Sequence, residues 1–185
     1  GFSEHGIPAK PLGPFASTWA SFRKTGGPVA VIGGGVAGVE LAMAMAHALE
    51  ERGKVAVIEA NTALQGLAKP TRNRLLDEMQ SQGITLEANA EVIRVDADKV
   101  ALSDGRTIDA ALTVGAAGAR PFPWLGDIGL DLTNGYITVD AQLRSISDPT
   151  IYAVGDCAHL SHAPRPKAGV FAVRAAPVLT HNIRA

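Results

Sequence analysis

Short, mostly apolar runs alternate with longer segments of helical character along the first half of the chain. Three such runs predict buried strands, at residues 29–33, 54–58 and 84–88. Two segments between them, residues 36–52 and 70–82, predict helices, and the second has a proline at its start and Gly83 just past its end. The order strand, helix, strand, helix, strand predicts an α/β fold with a parallel sheet and right-handed crossovers.

The pattern changes in the second half, where short strands follow one another without a helix between them. Strands are predicted at residues 91–96, 99–103 and 107–114, with Asp104-Gly105 as the hairpin turn between the last two. This β-meander takes the place of a crossover helix. Two further strands and a final helix are predicted at residues 136–139, 150–154 and 169–183.

Proline and glycine divide the chain into three parts. Residues 1–27 are rich in both, hold one short amphipathic helix at 14–24, and are predicted as a lead-in outside the core. Residues 28–120 form the predicted α/β domain. A second cluster of proline and glycine between residues 121 and 129 marks a domain crossing, so residues 121–185 are a separate portion.

Composition excludes several classes of protein. The chain has 185 residues, is 46% hydrophobic, carries a net charge of −1, and has no apolar run of the length of a membrane span, about 20 residues. Lys and Arg are scattered, which argues against nucleic acid as a partner. The single cysteine, Cys157, excludes an internal disulfide, and we expect a cytoplasmic location, with any peripheral membrane contact made by other parts of a longer protein.

The first predicted strand runs directly into the turn Gly33-x-Gly35-x-x-Gly38, and a helix rich in Ala, Met and Leu begins at Val36. In a dinucleotide-binding fold the three glycines give a tight turn, a close approach of the backbone to a pyrophosphate, and close helix–strand packing. The N-terminus of the helix supplies N–H groups and a partial positive charge for phosphates.

An acidic residue stands at the end of the second strand, about 20 residues beyond the last glycine. There, Glu59 can accept hydrogen bonds from the hydroxyl groups of an adenosine ribose and would repel a 2′-phosphate. The loop at residues 60–65 carries no Arg or Lys, so we predict NAD(H) rather than NADP(H). The alternatives are a doubly wound domain whose glycines only turn the chain, and a domain that binds a nucleotide sugar or S-adenosylmethionine.

A second cofactor signal lies in the strand predicted at residues 150–154, which ends in Gly155-Asp156. Together with the glycine turn, the meander and the segment Gly115-x-x-Gly118-Ala-x-Pro121, it resembles the pyridine-nucleotide-disulfide oxidoreductase superfamily, in which an NAD domain is inserted into an FAD domain. The resemblance implies a Rossmann-like NAD-binding domain with a β-meander at residues 28–120. Residues 1–27 would be a lead-in segment from the FAD domain, and residues 121–185 the C-terminal part of that domain.

The resemblance also implies roles for single residues. Asp156 would bind the ribityl chain of FAD, and Glu40 would lie near the nicotinamide. The segment that begins Pro166-Lys167 resembles the type II NADH dehydrogenase and sulfide:quinone oxidoreductase branch. In that branch this helix start faces the flavin, so Lys167 and the N–H groups of Gly169 and Val170 would stabilise negative charge on it.

The residues from 115 to 184 further resemble FAD-dependent oxidoreductases that are fused to, or associated with, selenide, water dikinase. The resemblance implies hydride transfer from NADH to FAD and transfer of the electrons to a quinone or another acceptor. The alternative is a non-catalytic NAD(H)-sensing module coupled to a partner enzyme.

The sequence departs from the family pattern at two places. Ala117 replaces the usual threonine of the strand exit, and the chain lacks the second Gly-x-Gly-x-x-Gly that binds the ADP half of FAD. We therefore expect a fragment that binds NAD(H) weakly and FAD hardly at all by itself.

Three other groups of residues are given structural interpretations. Cys157 is predicted to be a packed cysteine, and His159 and His162 to lie in a loop, because their spacing fits no common zinc motif. No metal site and no catalytic side chain are predicted. Arg72 and Arg74 are predicted to lie on a solvated helix face.

Overall fold

The chain folds into two compact units, residues 1–117 and 118–185. The computed structural model describes residues 1–118 and 120–184, so Ala119 of the predicted strand exit and the last residue, Ala185, lie outside the described residues. The division comes three residues before the predicted domain boundary at 120, so Gly118 is the first residue of the second unit.

The first unit is an α/β structure. Its elements are α1 (Phe2–His5), β1 (Gly6–Pro8), α2 (Leu12–Thr25), β2 (Val29–Ile32), α3 (Val36–Leu49), β3 (Val55–Glu59), α4 (Lys69–Ser81), β4 (Thr85–Ala88), β5 (Val92–Val95), β6 (Lys99–Leu102), β7 (Thr107–Asp109) and β8 (Leu112–Gly115). Five strands form an all-parallel sheet in the order β1-β8-β2-β3-β4. The predicted α/β fold with a parallel sheet is confirmed.

The core of this unit lies between the sheet and its helices. Val31 of β2 is fully buried and pairs with Val57 of β3 and Val114 of β8, which are also fully buried. Helix α3 buries the face that carries Val39, Ala42, Met45 and Leu49 against the sheet. Burial on both faces explains why the strands are continuous apolar runs.

The first 27 residues contribute a strand to the sheet and apolar side chains to the core of this unit, so the prediction that they lie outside the core is wrong. Strand β1 pairs in parallel with β8 at the edge of the sheet, and Phe15 of α2 is only 7% exposed within the main apolar cluster. Sequence reasoning missed β1 because a three-residue strand that ends in proline carries no periodic signal. The assignment of this segment to an FAD-binding domain stays a prediction.

The predicted strand 107–114 is two strands in two different sheets. β7 joins the antiparallel sheet β5-β6-β7, which is the predicted meander, whereas β8 joins the parallel sheet. The chain changes sheet at Ala110 and Ala111, whose N–H groups donate to the carbonyl oxygens of Asp98 and Pro28. Because both sheets bury apolar side chains here, the sequence reads as one uninterrupted run.

The predicted helix 36–52 ends as an α-helix at Leu49 and continues as a 3-10 turn, Glu50–Arg52. Glu50 leaves the helical backbone at φ +52°. The guanidinium of Arg52 donates to the carbonyl oxygens of Ala48 at 2.7 Å and Leu49 at 3.3 Å, which satisfies two acceptors at the end of α3.

The second unit is smaller. It contains a 3-10 turn (Pro123–Asp127), β9 (Leu132–Thr133), β10 (Tyr136–Val139), a second 3-10 turn (Gly155–Cys157), β11 (Ala158–Leu160) and α5 (Gly169–Arg184). The three strands form one sheet in the order β11-β10-β9. The prediction of a strand at residues 150–154 is wrong. Tyr152 makes only an isolated bridge with Arg144, and the chain then turns at Gly155.

No helix in the described part of the chain has both the length and the apolar character needed to cross a membrane.

Candidate functional site

The turn between β2 and α3 requires glycine at two positions for steric reasons. Gly33 has φ +117°, and a Cβ atom there would lie 2.7 Å from the backbone of Ala116 and Ala117, just beyond β8. A Cβ atom on Gly38 would overlap the carbonyl oxygen of Gly33. These two glycines therefore close the turn tightly and hold α3 against the sheet, as the spacing predicts.

Gly35 is different, because no described residue lies close enough to require a glycine there. Its backbone is extended, with φ −73° and ψ 176°, and a Cβ atom would meet no heavy atom within 4 Å. Gly35 is the N-cap of α3 and provides no side-chain cap, and Val36 after it is 42% exposed. The N-terminus of α3 thus faces the protein surface, where its N–H groups can bind an anion.

The carboxylate of Glu59 is held beside this turn by two backbone N–H groups. The N–H of Gly34 donates to Oε2 at 2.7 Å, and the N–H of Asn61 donates to Oε1 at 2.9 Å. Each carboxylate oxygen has two lone pairs, so each can accept one more hydrogen bond from a hydroxyl group. The structure therefore brings the predicted glycine turn and the predicted acidic residue together.

Gly34 is a candidate site residue that the sequence motif does not identify, because it occupies a variable position of the motif. A Cβ atom on Gly34 would lie 2.7 Å from Cβ of Glu59 and 3.1 Å from Cβ of Ala63. Glycine at this position allows the β3 end and its following loop to approach the turn closely. The only signal in the sequence is a third consecutive glycine at residues 33–35.

Replacing Gly38 with alanine should destabilise the first unit, because the closed turn has no room for a Cβ atom at this position. The new methyl group must displace the Gly33 carbonyl or α3, which costs about 1–3 kcal/mol. Urea unfolding of the protein measures this loss. Gly13→Ala on α2 is the control, because a Cβ atom there meets nothing within 4 Å; equal stability of the two variants would contradict the packing role of Gly38.

Glu40 lies on the exposed side of α3, two residues after Gly38. Its carboxylate makes no hydrogen bond or ion pair with a described residue. Its position near a nicotinamide stays a prediction.

In the second unit, three of the predicted cofactor residues line one cavity of about 260 Å³: Gly155, Asp156 and Lys167. Gly155 has φ +70° in the turn that carries Asp156, and its own Cβ would lie 3.3 Å from Cβ of Ala172 on α5. Gly169 and Val170 are the first residues of α5 and do not line this cavity. Gly118 has φ +105° and faces open space.

The ammonium group of Lys167 is held inside the second unit. Nζ donates a hydrogen bond to the carbonyl oxygen of Ala158 and lies 4.1 Å from the centroid of the Tyr136 ring. Burial lowers the pKa of Lys167, and the nearby Asp156 and Cys157 oppose this shift. The lysine thus has a defined position and a cation–π contact, which sequence reasoning could not predict.

Cys157 is half-buried, and its thiol donates to the carbonyl oxygen of Val154 at 3.2 Å. Among the described residues, no group of three or more His, Cys, Asp and Glu side chains is placed to hold a metal ion.

The sequence profile of the pyridine nucleotide-disulphide oxidoreductases matches residues 13–176, which is most of the chain. The chain belongs to the pyridine nucleotide-disulphide oxidoreductase family. A nitric oxide reductase FlRd-NAD(+) reductase of Klebsiella pneumoniae (strain 342) is 36% identical over 146 residues, 75% of this chain and 37% of that protein. A type II NADH:quinone oxidoreductase of Haemophilus influenzae is 30% identical over 147 residues, 71% of this chain and 33% of that protein.

Among solved structures, an FAD-dependent pyridine nucleotide-disulphide oxidoreductase of Desulfovibrio vulgaris superposes with a TM-score of 0.75 at 25% identity. The superposition covers 96% of this chain and 48% of the Desulfovibrio vulgaris chain. The family predicted from the glycine turn and the Gly155-Asp156 segment is confirmed, and so is the Rossmann-like α/β fold. The chain spans about a third of the length of the curated relatives it matches.

Proposed function

We propose that this chain supplies the NAD(H) site, and part of the FAD site, of a longer oxidoreductase in which NADH reduces FAD. The observation that carries the proposal is the hydrogen bond from Gly34 N–H to Glu59, beside the open N-terminus of α3 at Gly35. The pyrophosphate of NADH requires an anion-binding helix end, and the adenosine ribose requires a carboxylate with free lone pairs.

Each half of this site has a separate task. The N–H groups at the start of α3 bind the pyrophosphate, and the absence of a side chain at Gly35 lets the phosphates approach the backbone. Glu59 accepts hydrogen bonds from the ribose hydroxyls. Its charge disfavours a 2′-phosphate, and the loop at residues 60–65 has no cation of its own to compensate, which favours NADH over NADPH.

The second unit contributes to the FAD site. The turn at Gly155 places Asp156 on the wall of the cavity, where its carboxylate can accept hydrogen bonds from the ribityl hydroxyls. Lys167, on the same wall, adds positive charge. FAD, when bound, supplies the redox chemistry, and the residues of this chain bind and orient it.

The electron acceptor of the whole protein is a quinone or another carrier. The names of the relatives give different acceptors: one is a quinone oxidoreductase, and another serves nitric oxide reductase FlRd. The relatives give no support to the link with selenide, water dikinase, which stays a prediction. We also propose a cytoplasmic location, on the composition alone.

Anaerobic titration of the full-length, FAD-loaded protein with NADH tests the proposal. We expect NADH to bleach the flavin absorption band at about 450 nm, and NADPH to do so only at a much higher concentration. Binding of NADH with no change in the flavin spectrum would contradict hydride transfer and would favour the NAD(H)-sensing module. No binding of NADH would contradict the whole proposal.

A further inference from the structure

The sequence context predicts that Arg72 lies on a solvated face of α4, and this prediction is wrong. Its side chain is half-buried, and its Nε donates to the carbonyl oxygen of Ala63 at 2.9 Å. Ala63 is fully buried in the loop that follows Glu59. Arg72 lies near the N-terminus of α4, where a cation opposes the helix dipole, so helix stability does not explain its position.

The peptide group that accepts this hydrogen bond also donates one on its other side. The carbonyl of Ala63 and the N–H of Leu64 belong to one peptide group, and the N–H donates to the carbonyl oxygen of Gly34 at 2.7 Å. A cationic donor on the carbonyl polarises the peptide and strengthens the N–H as a donor. Arg72 is therefore connected through one peptide group to the glycine turn.

This connection determines the direction of two groups that face the ligand. In a planar trans peptide, the C=O and the N–H point in opposite directions. Because the Gly34 carbonyl points at the N–H of Leu64, the N–H of Gly35 points away from the loop, and no described residue accepts its hydrogen bond. On its other side, Gly34 donates to Glu59, so both parts of the proposed site depend on the position of Gly34.

The loop conformation is a strained one that needs such support. Leu64 has φ +56°, a left-handed conformation that is rare for leucine, and its side chain is only 1% exposed. Strained backbone of this kind persists where surrounding contacts over-determine it. The contacts here are the buried leucine side chain and the two hydrogen bonds of the Ala63–Leu64 peptide.

We propose that Arg72 is a positioning residue of the dinucleotide site: through the Ala63–Leu64 peptide, its guanidinium holds Gly34 so that the N–H of Gly35 and the carboxylate of Glu59 face the ligand. This inference rests on the proposed NAD(H) site. Arg72 does not itself bind the dinucleotide. It acts on the adenosine and pyrophosphate half, and the chemical step does not depend on it.

The test uses the full-length, FAD-loaded protein and ADP-ribose, which has the pyrophosphate and both riboses but no nicotinamide. Arg72→Met keeps the aliphatic packing and removes the donor. It should raise the Kd of ADP-ribose and the KM of NADH about tenfold and leave kcat within about twofold. Arg74→Met is the matched control, because Arg74 is exposed on the same helix and makes no hydrogen bond with a described residue; its constants should stay at the wild-type values.

Two further variants keep the test decisive if Arg72→Met does not fold. Arg72→Lys retains a charged donor and Arg72→Gln a neutral one, so the Kd of ADP-ribose should increase from wild type to lysine to glutamine. If Arg72 had a purely structural role, the variants would have a lower melting temperature and a lower kcat. Their Kd values for ADP-ribose would then not follow this order. The inference is overturned if Arg72→Met, or the lysine and glutamine pair, binds ADP-ribose as Arg74→Met does.

Failure of the inference is distinguishable from failure of the proposed function. Gly35→Val and Glu59→Gln change residues that face the ligand directly. If these two variants weaken ADP-ribose binding and Arg72→Met does not, only the role of Arg72 is wrong. If none of the three changes the Kd, the NAD(H) site itself is wrongly placed.

Discussion

Replacing Gly35 with valine should raise the KM for NADH by about a hundredfold or more with little loss of stability. The backbone at Gly35 is one that valine adopts readily, and a Cβ atom meets no protein atom within 4 Å, so the fold accommodates the side chain. The isopropyl group then occupies the space above the N-terminus of α3. A pyrophosphate can no longer approach the N–H groups, and binding is lost while the unit stays folded.

Steady-state kinetics of the full-length protein, together with thermal unfolding, measure both parts of this expectation. Gly13→Val is the matched control, because Gly13 is a second glycine of the same unit with open space around its Cβ position. Its KM for NADH should equal that of the wild type. A Gly35→Val variant with normal NADH affinity would refute the placement of the pyrophosphate at this turn.

Replacing Glu59 with glutamine should reduce the preference for NADH over NADPH by an order of magnitude or more. The amide oxygen can accept from only one of the backbone N–H groups of Gly34 and Asn61, because the amide NH2 is a donor, so one of these two hydrogen bonds is lost. The negative charge is lost, and with it the repulsion of a 2′-phosphate that carries a charge of about −1.5 to −2. The KM for NADH should rise about tenfold, because hydrogen bonds to a charged acceptor are the stronger ones.

The quantity to measure is the ratio of kcat/KM for NADH to kcat/KM for NADPH. Glu51→Gln serves as the control, since it removes the same charge from an exposed position of the same unit. Its ratio should not change beyond a factor of about two. An unchanged ratio in Glu59→Gln would show that the carboxylate does not face the 2′ position.

The sequence was informative where local rules decide the structure. At the turn of residues 33–38, the close contact between Gly38 and the Gly33 carbonyl joins residues five positions apart, so the spacing of the glycines records it. The buried strands of a parallel sheet are apolar on both faces, so β2 and β3 appear as continuous runs. The position of Glu59 follows from the length of one strand–helix–strand unit.

The sequence was uninformative where a structure depends on a distant partner. Strand β1 exists because the edge of β8 is available to it, and β8 follows more than 100 residues later. The break between β7 and β8 is decided by the two sheets that they join. In the second unit, the segment around Tyr152 has the apolar pattern of a strand but makes only one bridge.

The sequence by itself determined that this chain is an α/β protein of the pyridine nucleotide-disulphide oxidoreductase family with a Gly-x-Gly-x-x-Gly turn and an acidic strand end. The spacing of the glycines and the apolar runs of the buried strands are local features of the sequence, and they can be recognised without coordinates. Only the tertiary structure decided that Gly34, which is not one of the three motif glycines, donates to Glu59, and that Arg72 is connected to the same turn. The physical reason is that a hydrogen bond joins atoms by distance and direction, and the fold alone brings residues 34, 59, 63 and 72 to one place.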